Sequence, residues 1–160
     1  MNDPGYRLIE AEEAGQFETA KGLFQEYAAQ LGVDLCFQDF PAELSRLRQM
    51  YGSPSGCLVL ATRDGMAVGC GALRELADGI CEMKRLYVRG PERGGGLGRR
   101  LAARLVERAR DLGYRTMRLD TLQEMTAARD LYRSLGFREI PPYYANPLAN
   151  SVYLELALWS

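Results

Sequence analysis

The chain of 160 residues contains no histidine. Histidine is the side chain that most often serves as a general base, and it is a frequent metal ligand. We therefore expect no metal site, and acid–base chemistry falls to carboxylates, tyrosine, cysteine or water. Lysine is scarce too, since only Lys21 and Lys84 accompany the arginines. Arginine suits bidentate phosphate contacts, but an arginine-rich genome produces the same bias.

A strong charge imbalance and a long apolar run are also absent. The net charge of −1 argues against a general affinity for nucleic acid or an anionic membrane, so we expect neither as a partner. No stretch approaches the length of a transmembrane helix, and the opening segment MNDPGYRLIE lacks the apolar core of a signal peptide. We therefore expect a cytoplasmic protein.

The four cysteines show neither a CxxC pair nor zinc-like spacing. Cys57, Cys70 and Cys81 lie in apolar, strand-like runs, where buried reduced thiols are expected. Apolar residues make up 47% of the chain, which is enough for the core of one compact domain. We expect a single domain over residues 1–160, and the sequence leaves a monomer and a homodimer open.

Apolar spacing predicts an alternation of strands and helices. Gly32 ends the first helical pattern, and a second helix opens at Pro41 and breaks in the cluster Gly52–Gly56. Asp64-Gly65 and Asp78-Gly79 are predicted hairpin turns. The predicted elements are strand 6–10, helix 12–31, the helix from 41, strands 57–61, 66–73 and 80–88, helix 97–112, strand 115–120, helix 126–135, and strands 136–140 and 152–158.

The connections between these elements predict the topology. Hairpins make the middle strands antiparallel, whereas the strand–helix–strand from Ile80 to Asp120 should be parallel with a right-handed crossover. The predicted fold is of the α/β class: a twisted mixed sheet of about seven strands with helices on both faces.

The segment Arg93–Arg100 places glycines at four of five positions, between a strand and a helix. Each glycine would cost up to about 1 kcal/mol inside a helix. At a strand-to-helix junction, glycines let the backbone approach an anion, and the helix N-terminus offers unpaired N–H groups. The pattern predicts a phosphate-binding turn, and a flexible loop without function is the alternative.

The type of phosphate ligand follows from the spacing. No lysine follows the glycines, so the GxxxxGK[ST] loop is absent, and GxGxxG also fails at its last position. Asp120 resembles the ribose-binding acid of the second motif, which keeps a small nucleotide-binding domain as a weaker alternative. The pattern that does match is R-x-x-G-x-G, at Arg93, Gly96 and Gly98.

Two segments, MKRLYVRGPERGGGLGRRLAARLVERARDLGY and AARDLYRSLGF, resemble the two signatures of the GNAT superfamily of N-acetyltransferases. The order of strands agrees, so the resemblance covers nearly the whole chain. It implies transfer of an acetyl group from acetyl-CoA to a primary amine of a small molecule, an amino acid or a protein. A catalytically silent acyl-CoA-binding sensor is the alternative.

The resemblance also implies which residues hold coenzyme A. The backbone of Leu86, Tyr87 and Val88 would pair with the pantetheine arm, in a strand splayed from its neighbour. Met125 stands where the family often has asparagine, which puts one side-chain contact to that arm in question. Residues implied around the pyrophosphate are Arg93, Gly94, Gly95, Gly96, Leu97, Gly98 and Arg99.

Two residues are candidates for the chemistry. Tyr132 matches the family tyrosine near the coenzyme A sulfur, and a phenol is a suitable donor to a leaving thiolate. Packing of its ring on the sheet is the alternative. Glu82 matches a glutamate that serves the histone-acetylating members as a general base; an ion pair with Lys84 or Arg85 is the alternative. Cys81 is not expected to be a nucleophile, since the family transfers the acetyl group directly.

Strand alternation predicts that Glu82, Lys84, Leu86 and Val88 share one face of the sheet. The other face would then hold Cys81, Met83, Arg85 and Tyr87.

The acceptor amine should bind beyond the thioester. The family architecture places this site between the segment around residues 35–40 and the Pro/Tyr-rich loop. Phe37, Phe40, Tyr143 and Tyr144 are the predicted walls, and Asn146 would position the amine. A rigid scaffold loop is the alternative for the Pro-Pro-Tyr-Tyr segment.

Overall fold

The structure, a computed structural model, describes residues 5–32, 39–146 and 148–159. Strands and helices alternate largely as their apolar spacing predicts. Their bounds are β1 (Tyr6–Glu10), α1 (Ala14–Leu31), α2 (Phe40–Ser45), α3 (Leu47–Tyr51), β2 (Cys57–Arg63), β3 (Met66–Ala77), β4 (Ile80–Val88), α4 (Leu97–Asp111), β5 (Thr116–Leu122), α5 (Thr126–Ser134), β6 (Arg138–Ile140) and β7 (Ser151–Ala157).

The strands form one mixed sheet in the order β1-β2-β3-β4-β5-β7-β6. The pair β4–β5 is parallel, and the other neighbouring pairs are antiparallel. Asp64 and Gly65 both have positive φ, at 52° and 79°, as a two-residue hairpin turn of the primed type requires. The predicted α/β fold with a seven-stranded mixed sheet is confirmed.

Helices cover both faces of the sheet. On one face, α4 buries Leu101, Leu105 and Ala109 against the sheet in a cluster that also holds Met83 and Tyr132; we call this the α4-side core. On the other face, α1 and α3 bury Phe24, Tyr51 and their neighbours in what we call the α1-side core. The period of the apolar residues in α1 and α4 therefore produced the two layers that the sequence predicts.

The predicted helix that opens at Pro41 is two short helices. Arg46 stands between them with φ −133° and ψ 28°, which is not helical backbone. The sequence has neither glycine nor proline at this break, so its pattern gave no sign of it.

A bulge in β4 changes which side chains share a face. Arg85 has a φ of 58°, and the register with β3 moves from Ala72↔Lys84 to Cys70↔Tyr87, which places one extra residue on β4. Cys81 and Met83 before the bulge, and Leu86 and Val88 after it, all pack on the α4-side core, whereas Tyr87 packs on the α1-side core. The predicted grouping of Glu82, Lys84, Leu86 and Val88 is wrong, because a period of two fails across a bulge.

Candidate active site

The parallel strands β4 and β5 pair for only three residues. The register runs from Ile80↔Thr116 to Glu82↔Arg118 and then ends. A bulge bends and twists its strand, and the bulge at Arg85 lies three residues beyond the last pair. Beyond that point a cavity of about 970 Å³ lies between the two strands, which is the size range of small-molecule and cofactor sites.

The cavity runs from the glycine turn along β4 to the ends of β5 and α5. Nine of the ten residues predicted to bind the cofactor line it, and Gly95 does not. The sequence argument missed the contribution of α1, which supplies Tyr27, Gln30 and Leu31. The nine residues are Leu86, Tyr87, Val88, Arg93, Gly94, Gly96, Leu97, Gly98 and Arg99.

The glycine turn presents free backbone donors to this cavity. Gly94 and Gly96 have φ values of 90° and 83°, a region that favours glycine, and Gly96 caps α4. The first helical bond runs from the N–H of Arg100 to the oxygen of Gly96 at 3.1 Å. The N–H groups of Leu97, Gly98 and Arg99 therefore have no acceptor inside the helix, and together with the helix dipole they form an anion-binding end.

Gly98 has a packing role as well. A Cβ atom at this position would lie 3.3 Å from Cδ1 of Leu131 and 3.9 Å from Cγ2 of Val88. The first turn of α4 thus fits closely between α5 and the end of β4, and a Cβ atom there would require the end of the Leu131 side chain to shift by a few tenths of an ångström.

The arginines near the turn are braced by α1. Arg93 donates from Nε to the backbone oxygen of Val88 at 2.9 Å and from Nη2 to Oε1 of Gln30 at 2.6 Å. Arg89 forms a bidentate pair with Glu26, with distances of 2.9 and 2.5 Å. No sequence motif marked Glu26 or Gln30, although they lie one helical turn apart on the polar face of α1.

Tyr132 lies in the wall of the cavity, on α5. Tyr132 is 7% exposed, and its ring packs edge-to-face with the Phe137 ring at a centroid distance of 5.7 Å. Burial raises the pKa of Tyr132 well above that of a free phenol, and the charge of Asp120 contributes to the rise. The hydroxyl therefore stays protonated at neutral pH, as a proton donor must.

Glu82 has both carboxylate oxygens engaged. Nε of Arg74, the residue opposite it on β3, donates to Oε1 at 3.0 Å, and the Tyr143 hydroxyl donates to Oε2 at 2.6 Å. Glu82 is 2% exposed and is not among the residues that line the cavity. The ion pair that the sequence offered as an alternative is present, but with Arg74 instead of Lys84 or Arg85.

The predicted acceptor residues form a second layer behind the cavity. The rings of Tyr143 and Tyr144 pack on Tyr153, with centroid distances of 5.3 and 5.6 Å. The Tyr144 hydroxyl donates to Oδ2 of Asp120 at 2.6 Å, and Nδ2 of Asn146 donates to the Tyr144 hydroxyl oxygen at 3.0 Å. This arrangement favours the scaffold-loop alternative. Phe40 packs on the α1-side core and does not line the cavity, and Phe37 lies outside the described residues.

Several charged residues that line the cavity were not predicted as site residues. Lys84 on β4 and Asp120 on β5 both line it. Burial is the main cause that lowers the pKa of Lys84, and burial is also the main cause that raises the pKa of Asp120. Their positions depend on the register of two strands far apart in sequence, which local patterns do not reveal.

The three cysteines in the described part of the chain do not line the cavity. Cys57, Cys70 and Cys81 are free and buried, as predicted, and Cys36 lies outside the described residues. Burial raises the pKa of Cys81 to about 12, so its thiol is protonated at neutral pH and is a poor nucleophile.

Within residues 5–32, 39–146 and 148–159, no helix is long and apolar enough to cross a bilayer. No group of three or more cysteine, aspartate and glutamate side chains in these ranges is arranged to hold a metal ion.

Comparison with known proteins gives consistent matches. The model of the acetyltransferase (GNAT) family matches residues 21–137. An uncharacterised N-acetyltransferase of Schizosaccharomyces pombe is 43% identical over 140 residues, which are 86% of each chain. A GNAT-family acetyltransferase of Staphylococcus aureus has a TM-score of 0.78 at 19% identity, covering 96% of this chain and 99% of that one. A Salmonella typhimurium protein solved with its cofactor acetyl-CoA has a TM-score of 0.65 at 20% identity, covering 96% and 94%.

Proposed function

Because the chain belongs to the acetyltransferase (GNAT) family, we propose that it moves an acetyl group from acetyl-CoA to a primary amine of a small molecule, an amino acid or a protein. The observation that carries the proposal is one continuous cavity that joins the anion-binding end of α4, the open edge of β4 and the buried hydroxyl-bearing Tyr132. Few other functions need these three features in one space.

The residues along the cavity fit two parts of coenzyme A, the pyrophosphate and the pantetheine arm. The free N–H groups of Leu97, Gly98 and Arg99 would take the pyrophosphate, which is the use that helix N-termini commonly serve. Beyond Glu82, β4 forms no ladder with β5, so backbone groups of residues 86–88 can pair with the amides of the pantetheine arm. When bound, acetyl-CoA supplies an activated acetyl thioester.

Tyr132 is the proposed general acid. Its hydroxyl donates a proton to the departing sulfur as the carbon–sulfur bond breaks and the new carbon–nitrogen bond forms. The proton that leaves the amine needs a base, and Asp120 is the carboxylate that combines a place in the cavity wall with a raised pKa. We therefore propose Asp120 as the proton acceptor.

For Glu82 we propose a positioning role: it holds Tyr143, whose ring supports the Tyr144–Asp120 contact. The prediction that Glu82 is itself the base remains a hypothesis, and a pH profile described below separates the two roles. Glu82 is buried and does not line the cavity, so an amine bound in the cavity would not reach its carboxylate directly.

The test is an acetyl-CoA consumption assay over a library of amines, run beside thermal shifts with coenzyme A. We expect coenzyme A to raise the melting temperature in proportion to its occupancy, and at least one amine class to release free thiol from acetyl-CoA. Coenzyme A binding without turnover of any amine would instead support the silent sensor. Equal stabilisation by ATP, NAD and coenzyme A would contradict both and favour a nucleotide-binding domain.

A further inference from the structure

Lys84 and Asp120 occupy equivalent positions on the two diverging strands. The last register pair of β4 and β5 is Glu82↔Arg118, and Lys84 and Asp120 each follow by two residues. Side chains two residues apart share a face, so both lie on the face of Glu82 and Arg118. If the pairing continued, the strands would be about 4.8 Å apart and the opposite charges would form a cross-strand pair. The strands separate instead, and the two residues line the cavity between them.

The ammonium group of Lys84 is an unusual group in this wall. It is partly buried, and within the described part of the chain no hydrogen bond or ion pair holds it. Burial is the largest cause that lowers the pKa of Lys84, and the positive charge of Arg85 is the next. The negative charges of Glu82 and Glu43 act in the opposite direction and raise it. Removing an ammonium from water without a partner is costly. A lysine in this position weakens the fold unless something in the cavity compensates its charge.

The carboxylate of Asp120 is fixed on one side and open on the other. Its Oδ2 accepts from the Tyr144 hydroxyl at 2.6 Å and from Nδ2 of Asn146 at 3.5 Å. No group of the described residues donates to Oδ1. The packing of Tyr144 on Tyr153 holds this arrangement in place. One oxygen is thus oriented by the protein, while the other is available to a ligand.

We propose that the acceptor is a free amino acid, whose carboxylate pairs with Lys84 and whose amine binds Asp120. The inference rests on the proposed function and narrows its substrate class. A cation and an anion that face one cavity without forming an ion pair with each other match a zwitterion. Polyamines and protein α-amines have no carboxylate beside the amine, so they would leave Lys84 uncompensated.

The first test compares three forms of each of the twenty standard L-amino acids: the free acid, its methyl ester and the decarboxylated amine. A hydrogen bond to a charged group contributes about 1.5–3 kcal/mol, so loss of the carboxylate should lower kcat/KM about 10- to 100-fold. Amines or esters that are acetylated as well as the free acids would overturn the amino-acid assignment and leave the acetyltransferase function standing.

The second test uses Lys84→Met, with Lys21→Met, the chain's other lysine, as the matched control. Lys84→Met should raise KM for the amino acid about 10- to 100-fold. The affinity for acetyl-CoA should be unchanged, and the preference for the free acid over its ester should disappear. The melting temperature should stay level or rise, because an uncompensated partly buried cation is gone. Lys21→Met should change none of these. A lower melting temperature with the preference for the free acid intact would mean that Lys84 is structural.

A binding measurement keeps the inference independent of turnover. Calorimetry on the coenzyme A-saturated wild-type protein should show binding of an amino acid that Lys84→Met and Asp120→Asn each weaken at least tenfold. If no amine of any kind is acetylated but this binding is found, the proposed function fails and the amino-acid site stands. If neither an amino acid nor its ester binds, the site assignment is wrong whatever the enzyme acetylates.

Discussion

At the scale of single residues, the proposed chemistry rests on Tyr132, Asp120 and Glu82. Tyr132 lies in the cavity wall, and the contiguous segment LYRSLGF selects it in the sequence. Glu82 was selected from its distance to Arg93 along the chain, yet its partners Arg74 and Tyr143 come from other elements and were invisible in that spacing. The sequence marked Asp120 only as an acidic residue at the end of a strand. Its proposed role depends on the separation of β4 and β5, which the sequence does not show.

Tyr132→Phe tests the general acid. The variant keeps the ring and its contact with Phe137, so the melting temperature and the affinity for coenzyme A should survive. The loss of the proton donor should lower kcat about 10²- to 10⁴-fold. Steady-state kinetics with an identified acceptor measure this effect. Tyr114→Phe is the control: that hydroxyl donates to the backbone oxygen of Ser55, away from the cavity, so its removal should leave kcat unchanged.

Asp120→Asn and Glu82→Gln separate the base from the positioning residue. Asp120→Asn should lose about 10²- to 10⁴-fold in kcat at neutral pH and regain activity as rising pH deprotonates the amine in solution. Glu82→Gln should show a loss that is flat with pH and mostly in KM. Profiles of kcat and kcat/KM from about pH 6 to 10 measure both effects. This pH range extends up to about the reference pKa values of tyrosine and lysine. The opposite assignment of the two profiles would restore Glu82 as the base.

At the scale of secondary structure elements, the bulge in β4 organises both faces of the strand. It brings Arg85 to the α1 side of the sheet, where Nη2 meets Oε1 of Glu43 at 2.7 Å and the guanidinium lies 5.1 Å from the centroid of the Phe40 ring. The Tyr51 hydroxyl donates to the same carboxylate at 2.9 Å. The two charged side chains of the pair are 4% and 2% exposed, so the pair is one of the few ionic contacts here that solvent does not screen.

Glu43→Gln should destabilise the fold, because it removes the carboxylate charge that pairs with the buried guanidinium of Arg85. Breaking one partner of a buried pair costs about 3–5 kcal/mol. Urea unfolding at pH 7 measures the loss. Glu18→Gln, an exposed glutamate on α1, should change the free energy of unfolding by no more than about 0.5 kcal/mol. Equal stability of the two variants would show that Arg85 finds compensation elsewhere.

The same pair predicts part of the acid sensitivity of the protein. Burial opposes ionisation of Glu43, but the bonds and charge of Arg85 outweigh it and hold the pKa below its ordinary value. A carboxyl with a lowered folded-state pKa adds stability above the unfolded value of about 4.3 and loses it as pH falls through the folded-state pKa. The wild-type protein should therefore lose stability below about pH 4.3, and Glu43→Gln should lose less over the same range.

The glycine turn is an element whose members differ in role. Gly96 combines a positive φ with a place in the cavity wall, whereas Gly95 has neither, and a Cβ atom there meets nothing within 4 Å. Gly96→Val should abolish the thermal shift produced by coenzyme A while the far-UV circular dichroism stays intact. Gly95→Ala, the matched control, should retain the full shift. A full shift in Gly96→Val would remove the phosphate site from this turn.

At the scale of the whole molecule, the order of elements and the two covered faces followed from periodicity and turn residues. Helices α1 and α4 and the central strands are long and their apolar periods regular, so local preference and final packing agree there, whereas the short helices α2 and α3 were predicted as one. The acceptor end of the cavity could not be predicted from the sequence, because it depends on the register of β4 and β5 and on contacts such as Asp120–Tyr144. Such contacts are set by three-dimensional packing and leave no period in the sequence.

The short pairing of β4 and β5 has a mechanical consequence. Within the sheet, strands β1–β4 are joined to strands β5–β7 by only three residue pairs between β4 and β5. Few backbone hydrogen bonds therefore hold the two halves of the sheet together at its centre. A ligand arm that pairs with β4 would add backbone hydrogen bonds where the pairing with β5 has ended, and it would hold the two halves of the sheet together. Hydrogen–deuterium exchange should then show slower exchange at the β4 amides from Met83 to Val88 when coenzyme A is bound, and sharper, more cooperative thermal unfolding. Unaltered exchange in a saturated complex would mean that the ligand lies across the gap without bridging it.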